Sequence, residues 1–353
     1  MIKRFGILLL VSTILLGSMS AAIRPKNVIF LIGDGMGMAQ VYAAMVANGN
    51  KLEVERCKHV GYSKTYCANR FVTDSGAGGT ALATGVKTNY GMIGMSPDSV
   101  AVETILEQSE RNGLATGIVV TCAITYVTPA TFIAHQHHRS MYEEVAADFL
   151  KTDIDVFIGG GRKYFETRKD GRNLIQELKD KQYQIAFDMD EVKKINSGKL
   201  AGLIHEDQPP AMPERGDLLS DATMTAINIL NKNEKGFFLM VEGSQIDWAG
   251  HSNDVEQIIM ETLDFDKTVG KVLDFAEKDK TTLVIITADH ETGGLTLTDG
   301  NINQRKVKTH FSTKSHSGIP VPVFAFGPGA EEFTGFMENI DFKGKIEKLL
   351  KLK

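Results

Sequence analysis

Six short apolar runs punctuate the chain: Val28–Ile32, Thr116–Val120, Val156–Ile158, Phe237–Val241, Leu283–Ile286 and Val321–Phe326. Each is bounded by polar residues or glycine, and none alternates apolar with polar as a half-exposed strand would. Each therefore predicts a strand buried on both faces, as in a parallel sheet. Between the runs the apolar spacing becomes helical. The clearest case is Asp254 to Lys278, where Val255, Ile258, Ile259, Leu263, Val269, Val272, Leu273 and Phe275 share one face. Strands alternating with helices predict an α/β fold, a central mainly parallel β-sheet sandwiched by helices. No internal repeat, low-complexity tract or Pro/Ser-rich linker interrupts the pattern. The expected organisation is a single catalytic domain over residues 21–353, with residues 162–235 as a more polar, irregular excursion.

The first residues follow a different pattern. Lys3 and Arg4 precede the apolar run Phe5–Leu16, and small residues follow at Gly17, Ser18, Ser20, Ala21 and Ala22. A basic start, an apolar stretch and a small-residue junction predict a secretory signal peptide over residues 1–20. The run is shorter than the roughly 20 residues of a membrane span, and no cysteine near the junction offers a lipid anchor. The protein is thus expected to be exported, periplasmic or secreted, without a stable membrane anchor. Loss of Lys3 and Arg4 with the leader, which carries no acid, moves the formal charge from −5 to −7. An acidic balance gives no basis for a nucleic-acid partner. Of the three cysteines, Cys57 and Cys67 could pair as a disulfide in an exported protein, and two buried thiols account for them equally well. Cys122 follows an apolar strand and reads as core.

In open α/β sheets, ligands bind beyond the carboxyl ends of the strands. Val28–Ile32 runs into Gly33-Asp34-Gly35, Phe237–Val241 into Glu242-Gly243, and Leu283–Ile286 through Thr287-Ala288 into Asp289-His290. Three strands deliver metal-type ligands to one edge. Asp247 and His251, four apart in "QIDWAGH", share one face of a helical turn. His316 precedes the last strand; His310 is its rival, and the Ser317-Gly318 turn favours His316. Asp34, Asp247, His251, Asp289, His290 and His316 exceed one tetrahedral zinc and suit two ions sharing a cleft. Glu242 and Asp34, with Thr128 as a further oxygen, suit a hard ion such as magnesium.

A second kind of chemistry lies in "VTDSGAGGTALATG", residues 72–85, where Asp74-Ser75 precede a run of small side chains. Gly85-Val86-Lys87-Thr88 has a valine where a nucleotide phosphate loop needs its lysine. A helical stretch is expected over Thr80–Thr84 with Ser75 at its start, and a helix N-terminus favours negative charge. An adjacent zinc would activate the serine oxygen. Gly76, Ala77, Gly78 and Gly79 are read as room for a phosphate and two metals.

With these residues in view, the chain resembles the alkaline phosphatases. The matching segments are "NVIFLIGDGMG" (27–37), "VTDSGAGGTALATG" (72–85), "TPATFIAHQHHR" (128–139), "DVFIGGGRKYF" (155–165), "MVEGSQIDWAGH" (240–251), "LVIITADHETGG" (283–294) and "HSGIPVPVFAFGPG" (316–329), in family order. The resemblance implies a phosphate monoester hydrolase in which Ser75 is the phosphorylated nucleophile and Arg139 grips phosphate oxygens. It assigns Asp34, Asp289 and His290 to one zinc and Asp247, His251 and His316 to another. Glu242, Thr128 and bridging Asp34 fall to a magnesium. It also implies a homodimer. The chain is short for the family, which implies an open site tolerant of many alcohols. It departs from the family at Tyr126, where bacterial relatives often carry Asp and animal ones His, and at Trp248, where Lys or His is frequent. His135, His137 and His138 read as structural or surface residues. A sulfatase would carry Cys/Ser-x-Pro-x-Arg, which Ser75-Gly76-Ala77-Gly78-Gly79 does not match. Arg139 and the third ligand set disfavour a diesterase, and a binding protein without turnover has no use for Ser75.

Overall fold

The computed structural model describes residues 24–353; the predicted leader lies outside the described residues. Along the chain run β1 (Asn27–Gly33), β2 (His59–Lys64), β3 (Ala115–Ala123), β4 (Val156–Gly160), β5 (Gln184–Ala186), β6 (Leu200–Leu203), β7 (Phe237–Gly243) and β8 (Thr282–Thr287). Beyond the sheet, β9 (Glu291–Thr292) pairs with β12 (His316–Ser317), and β10 (Leu295–Asn301) with β11 (Lys306–Phe311). β13 (Val321–Phe326) and β14 (Gly335–Glu338) return to the sheet, whose ten strands run β14-β2-β13-β8-β1-β7-β3-β4-β6-β5. Only β13 opposes its neighbours, β8 and β2. The sheet is mainly parallel.

Each of the six apolar runs is a strand of this sheet. The reason is visible in β1, which is buried at every residue. Val28, Phe30 and Ile32 enter one core with Leu82, Ile105, Val145 and Phe342 from helices on that face. Ile29 and Leu31 enter the other, with Val41, Leu219, Ala226, Val269 and Val272. A strand covered on both sides has no solvent-facing position for a polar residue. The long helix spans Val255–Asp279, and the Asp254 side chain caps it by accepting from the Gln257 N–H.

Residues 162–235 are not the irregular excursion expected. They supply β5 and β6, which extend the sheet, and the helix Leu218–Leu230, which packs on the second core. Strands of three and four residues are too short to show a period. Cys57, Cys67 and Cys122 are free and buried, so the disulfide alternative is not realised. No helix among the described residues is long and apolar enough to cross a membrane.

The register of the central strands places the site. Ile32 lies opposite Glu242 on β7 and Thr287 on β8. Asp34, Glu242 and Asp289 therefore leave three adjacent strands at nearly the same level.

Candidate active site

The helix that carries Ser75 spans Ser75–Thr84, beginning five residues earlier than expected, and Asp74 is its cap. One Asp74 carboxylate oxygen accepts from Ala77 N–H at 3.1 Å and from Gly91 N–H at 3.0 Å. The other accepts from Arg139 Nη1 at 2.9 Å. The small residues after Ser75 have a cause within the protein that the sequence did not show. A Cβ at Gly78 would stand 3.0 Å from the Asp289 carbonyl oxygen, and one at Gly79 would stand 2.5 Å from Thr131 Oγ1. What the glycines admit is protein: the loop that bears Asp289 and the helix end beside Thr128.

Ser75 is buried, and its Oγ lies 3.2 Å from His290 Nε2. The same nitrogen is 3.2 Å from Asp289 Oδ2 and 3.5 Å from Asp34 Oδ1. Asp34, Asp289 and His290 thus bring one ligand atom each into a common space. Asp247, His251 and His316 do the same one step outward. His251 Nε2 is 3.4 Å from Asp247 Oδ2, His316 Nε2 is 3.6 Å from Asp247 Oδ1, and the two Nε2 atoms are 3.2 Å apart. His290 and His316 stack with ring centroids 3.6 Å apart, so the clusters adjoin. His310 lies exposed on β11. His135 bonds Glu107 and the Gly94 carbonyl, away from both clusters.

Backbone contacts define the histidine tautomers. His251 Nδ1 lies 2.6 Å from the Lys314 carbonyl and His316 Nδ1 lies 2.8 Å from that of Thr73. A carbonyl only accepts, so both Nδ1 atoms carry a proton, which leaves Nε2 as the atom each ring offers to a cation. His290 reaches the same state through Thr292. That hydroxyl donates to Asp247 Oδ1, and therefore accepts from His290 Nδ1 at 3.2 Å. Thr292 joins the two clusters through one hydroxyl. Sequence reasoning gave neither Thr292 nor the Asp74–Arg139 pair a role. Both stand inside the quoted motifs, and spacing alone does not reveal a bridge formed across the fold.

The third group is made of oxygens. Thr128 Oγ1 donates to Asp34 Oδ2 at 3.1 Å, and Glu242 lies fully buried with Cys122 Sγ 3.6 Å from its Oε2. Burial, followed by the charges of Asp289 and Asp247, holds the Asp34 carboxyl well above its usual range. Burial raises Asp289 to about 7 and Glu242 to about 8. Asp34 Oδ1, Asp289 Oδ2 and Glu242 Oε1 are buried with no hydrogen-bond partner. Three such carboxyls cannot all ionise together unless cations compensate them. Burial also keeps His290 and His316 neutral, as ligands must be. At His251 the Asp247 hydrogen bond raises the pKa to about 9, so a cation there displaces a proton. The donor sets fit metal ions.

Arg139 is the one arginine of this group, pinned on one side by buried Asp74 and 26% exposed on the other. A hydroxyl among nitrogen and carboxylate donors, with a guanidinium turned toward the opening, is equipment for metal-dependent hydrolysis of an anionic ester.

Comparison with known proteins identifies the family. Residues 25–305 match the family model for alkaline phosphatase. The chain is 35% identical to alkaline phosphatase 3 of Bacillus subtilis (strain 168), over 92% of this chain and 89% of that one. It is 31% identical to the alkaline phosphatase of Escherichia coli (strain K12), over 96% and 90%. The solved alkaline phosphatase of the Antarctic bacterium TAB5 superposes with a TM-score of 0.89 at 42% identity, covering 93% of this chain and 99% of that one. A solved variant of the same enzyme has magnesium bound in its M3 site. The chain belongs to the alkaline phosphatase family. It is a phosphatase, a metal-dependent hydrolase of phosphate monoesters.

Proposed function

We propose that hydrolysis proceeds through a phosphoserine at Ser75, with two zinc ions and one magnesium. The observation that carries this reading is the position of the Ser75 hydroxyl, 3.2 Å from His290 Nε2 at the N-terminus of a helix. Asp34, Asp289 and His290 would hold the inner zinc, and Asp247, His251 and His316 the outer one. Asp34, Thr128 and Glu242 would hold the magnesium. Together these ions would supply Lewis acidity to the entering and leaving oxygens. Ser75 Oγ attacks phosphorus in line, forming one O–P bond as the bond to the alcohol oxygen breaks. Water then cleaves the phosphoserine, releasing inorganic phosphate and restoring the hydroxyl. The free edge of the Arg139 guanidinium grips two phosphate oxygens, and Asp74 keeps it turned toward them. Helix N–H groups after Ser75 favour the added charge.

The leader-like residues 1–20 support export, and the family resemblance supports a homodimer. Half-exposed His251 supports a site open to many alcohols.

The direct test is trapping. Native enzyme incubated with radiolabelled phosphate and quenched in acid should retain label on Ser75, and its hydrolysis of p-nitrophenyl phosphate should need zinc add-back after chelation. Ser75→Ala should lose roughly a thousandfold or more of activity and all of the label. A trappable phosphoenzyme in that variant would rule Ser75 out.

A further inference from the structure

Four aromatic rings form a connected run that passes near Arg139, and the reaction proposed above gives none of them a role. Trp248 follows Asp247 on the helix Gln245–Ser252, and Tyr126 precedes the short helix Val127–Ala130 that carries Thr128. Tyr142 opens the helix Tyr142–Asp148, three residues after Arg139. The Trp248 and Tyr126 rings meet edge to face at 5.6 Å and 84°. Tyr126 stacks on Tyr142 at 6.3 Å and 10°, and Tyr142 meets Tyr164 at 5.1 Å. The rings form a continuous wall.

Such a wall could simply fill the joint between helices and sheet, and Tyr126 and Trp248 do rest on the core. Filler of that kind normally pairs its polar tips with protein. Here the Tyr126 and Tyr142 hydroxyls and the Trp248 N–H have no protein partner among the described residues, yet none is sealed from solvent. The wall also stands close to the reacting groups: Tyr142 opens its helix three residues after Arg139, and Tyr126 lies two residues before Thr128.

Geometry decides which part of a substrate meets it. In an in-line displacement the alcohol departs on the side opposite the attacking oxygen. Ser75 lies against the inner cluster, so the alcohol points to the outer one, whose helix bears Trp248 between Asp247 and His251. We propose that Trp248, Tyr126 and Tyr142 form a subsite for the alcohol portion of the ester, selecting aromatic over small aliphatic alcohols. The proposal rests on the phosphoserine reading above for the direction of departure. It narrows the expected tolerance: many alcohols enter, and aryl ones bind best.

The test uses phosphonates, which bind without reacting, on the metal-loaded enzyme. By calorimetry, 4-nitrophenylphosphonate should bind about tenfold more tightly than methylphosphonate, the scale of one or two aromatic contacts. Trp248→Leu and Tyr142→Leu should each bring that ratio to within about twofold of unity while methylphosphonate affinity holds. The native protein offers an independent reading, because Trp248 is its one tryptophan. Its emission should be quenched by the nitrophenyl ligand and left unchanged by methylphosphonate. Equal affinities for the two phosphonates, or an unquenched Trp248 at saturation, would overturn the subsite. Loss of both affinities in a variant together with an unquenched native Trp248 would overturn it as well. Failure of the parent reading looks different: Ser75 would take no label, whatever the phosphonate ratio.

Discussion

Thr292 Oγ1 donates to Asp247 and accepts from His290, so a single hydroxyl orients a ligand in each metal cluster. Removing it while keeping the shape isolates that tie. Thr292→Val should weaken zinc retention by roughly 10- to 100-fold, the usual cost of losing a group that orients ligands. Competition with a chromogenic chelator measures it, and Thr292→Ser should restore most of the affinity. An unchanged chelator curve would mean that the hydroxyl is incidental. Arg139 makes a different case, since its position depends on buried Asp74. Arg139→Ala should lower kcat/KM for a monoester by about 2–3 kcal/mol, and for a diester by less. A diester has fewer free charged oxygens for the fork to hold. Equal losses on both substrates would show that Arg139 does not grip phosphate.

The helix Ser75–Thr84 shows how an element can contradict its own propensity. Its residues include Gly76, Gly78 and Gly79, each costing about 1 kcal/mol relative to alanine within a helix. They persist because neighbours leave no room for a Cβ. Gly79→Ala should therefore destabilise the protein by about 1–3 kcal/mol, despite the better helix former, because Thr131 Oγ1 stands 2.5 Å from the new carbon. Urea unfolding measures the sign, and a stabilised variant would refute the packing account. Elements with long, uniform patterns were legible in the sequence: the six apolar strands and the helix Val255–Asp279. The start of the Ser75 helix was not, because glycine hides helical periodicity. β2 escaped for another reason, its exposed residues alternating with buried ones over only six positions at the sheet margin.

At the scale of the whole molecule, burial of Asp34, Asp289 and Glu242 links metal, proton and stability. Without metal these carboxyls are held above their ordinary values near 4, Asp289 at about 7 and Glu242 at about 8. The native state then binds more protons than the unfolded chain between those limits. This contribution to stability is complete below roughly pH 4 and is lost as pH rises through about 7 to 8. His251, raised to about 9, acts in the same direction. Buried His290 and His316, held below their ordinary value near 6.5, act the other way at acid pH, so chelated protein should show a Tm that falls from about neutral to mildly alkaline pH, whereas the zinc- and magnesium-loaded protein should not. A chelated Tm that is flat or rising over that window would count against the charge crowding. The chain alone reveals this much: runs of apolar residues long enough to demand cover on both faces, and ligand-type residues placed just after them. Those are local properties, carried by adjacent letters. It does not reveal that β1, β7 and β8 are neighbours, that Thr292 bridges two clusters, that Asp74 pins Arg139, or that Gly78 and Gly79 lie against Asp289 and Thr131. Apart from Thr292 and His290, these contacts join residues 45 to more than 200 positions apart, and such pairings exist only once burial of the two cores has brought the strands together.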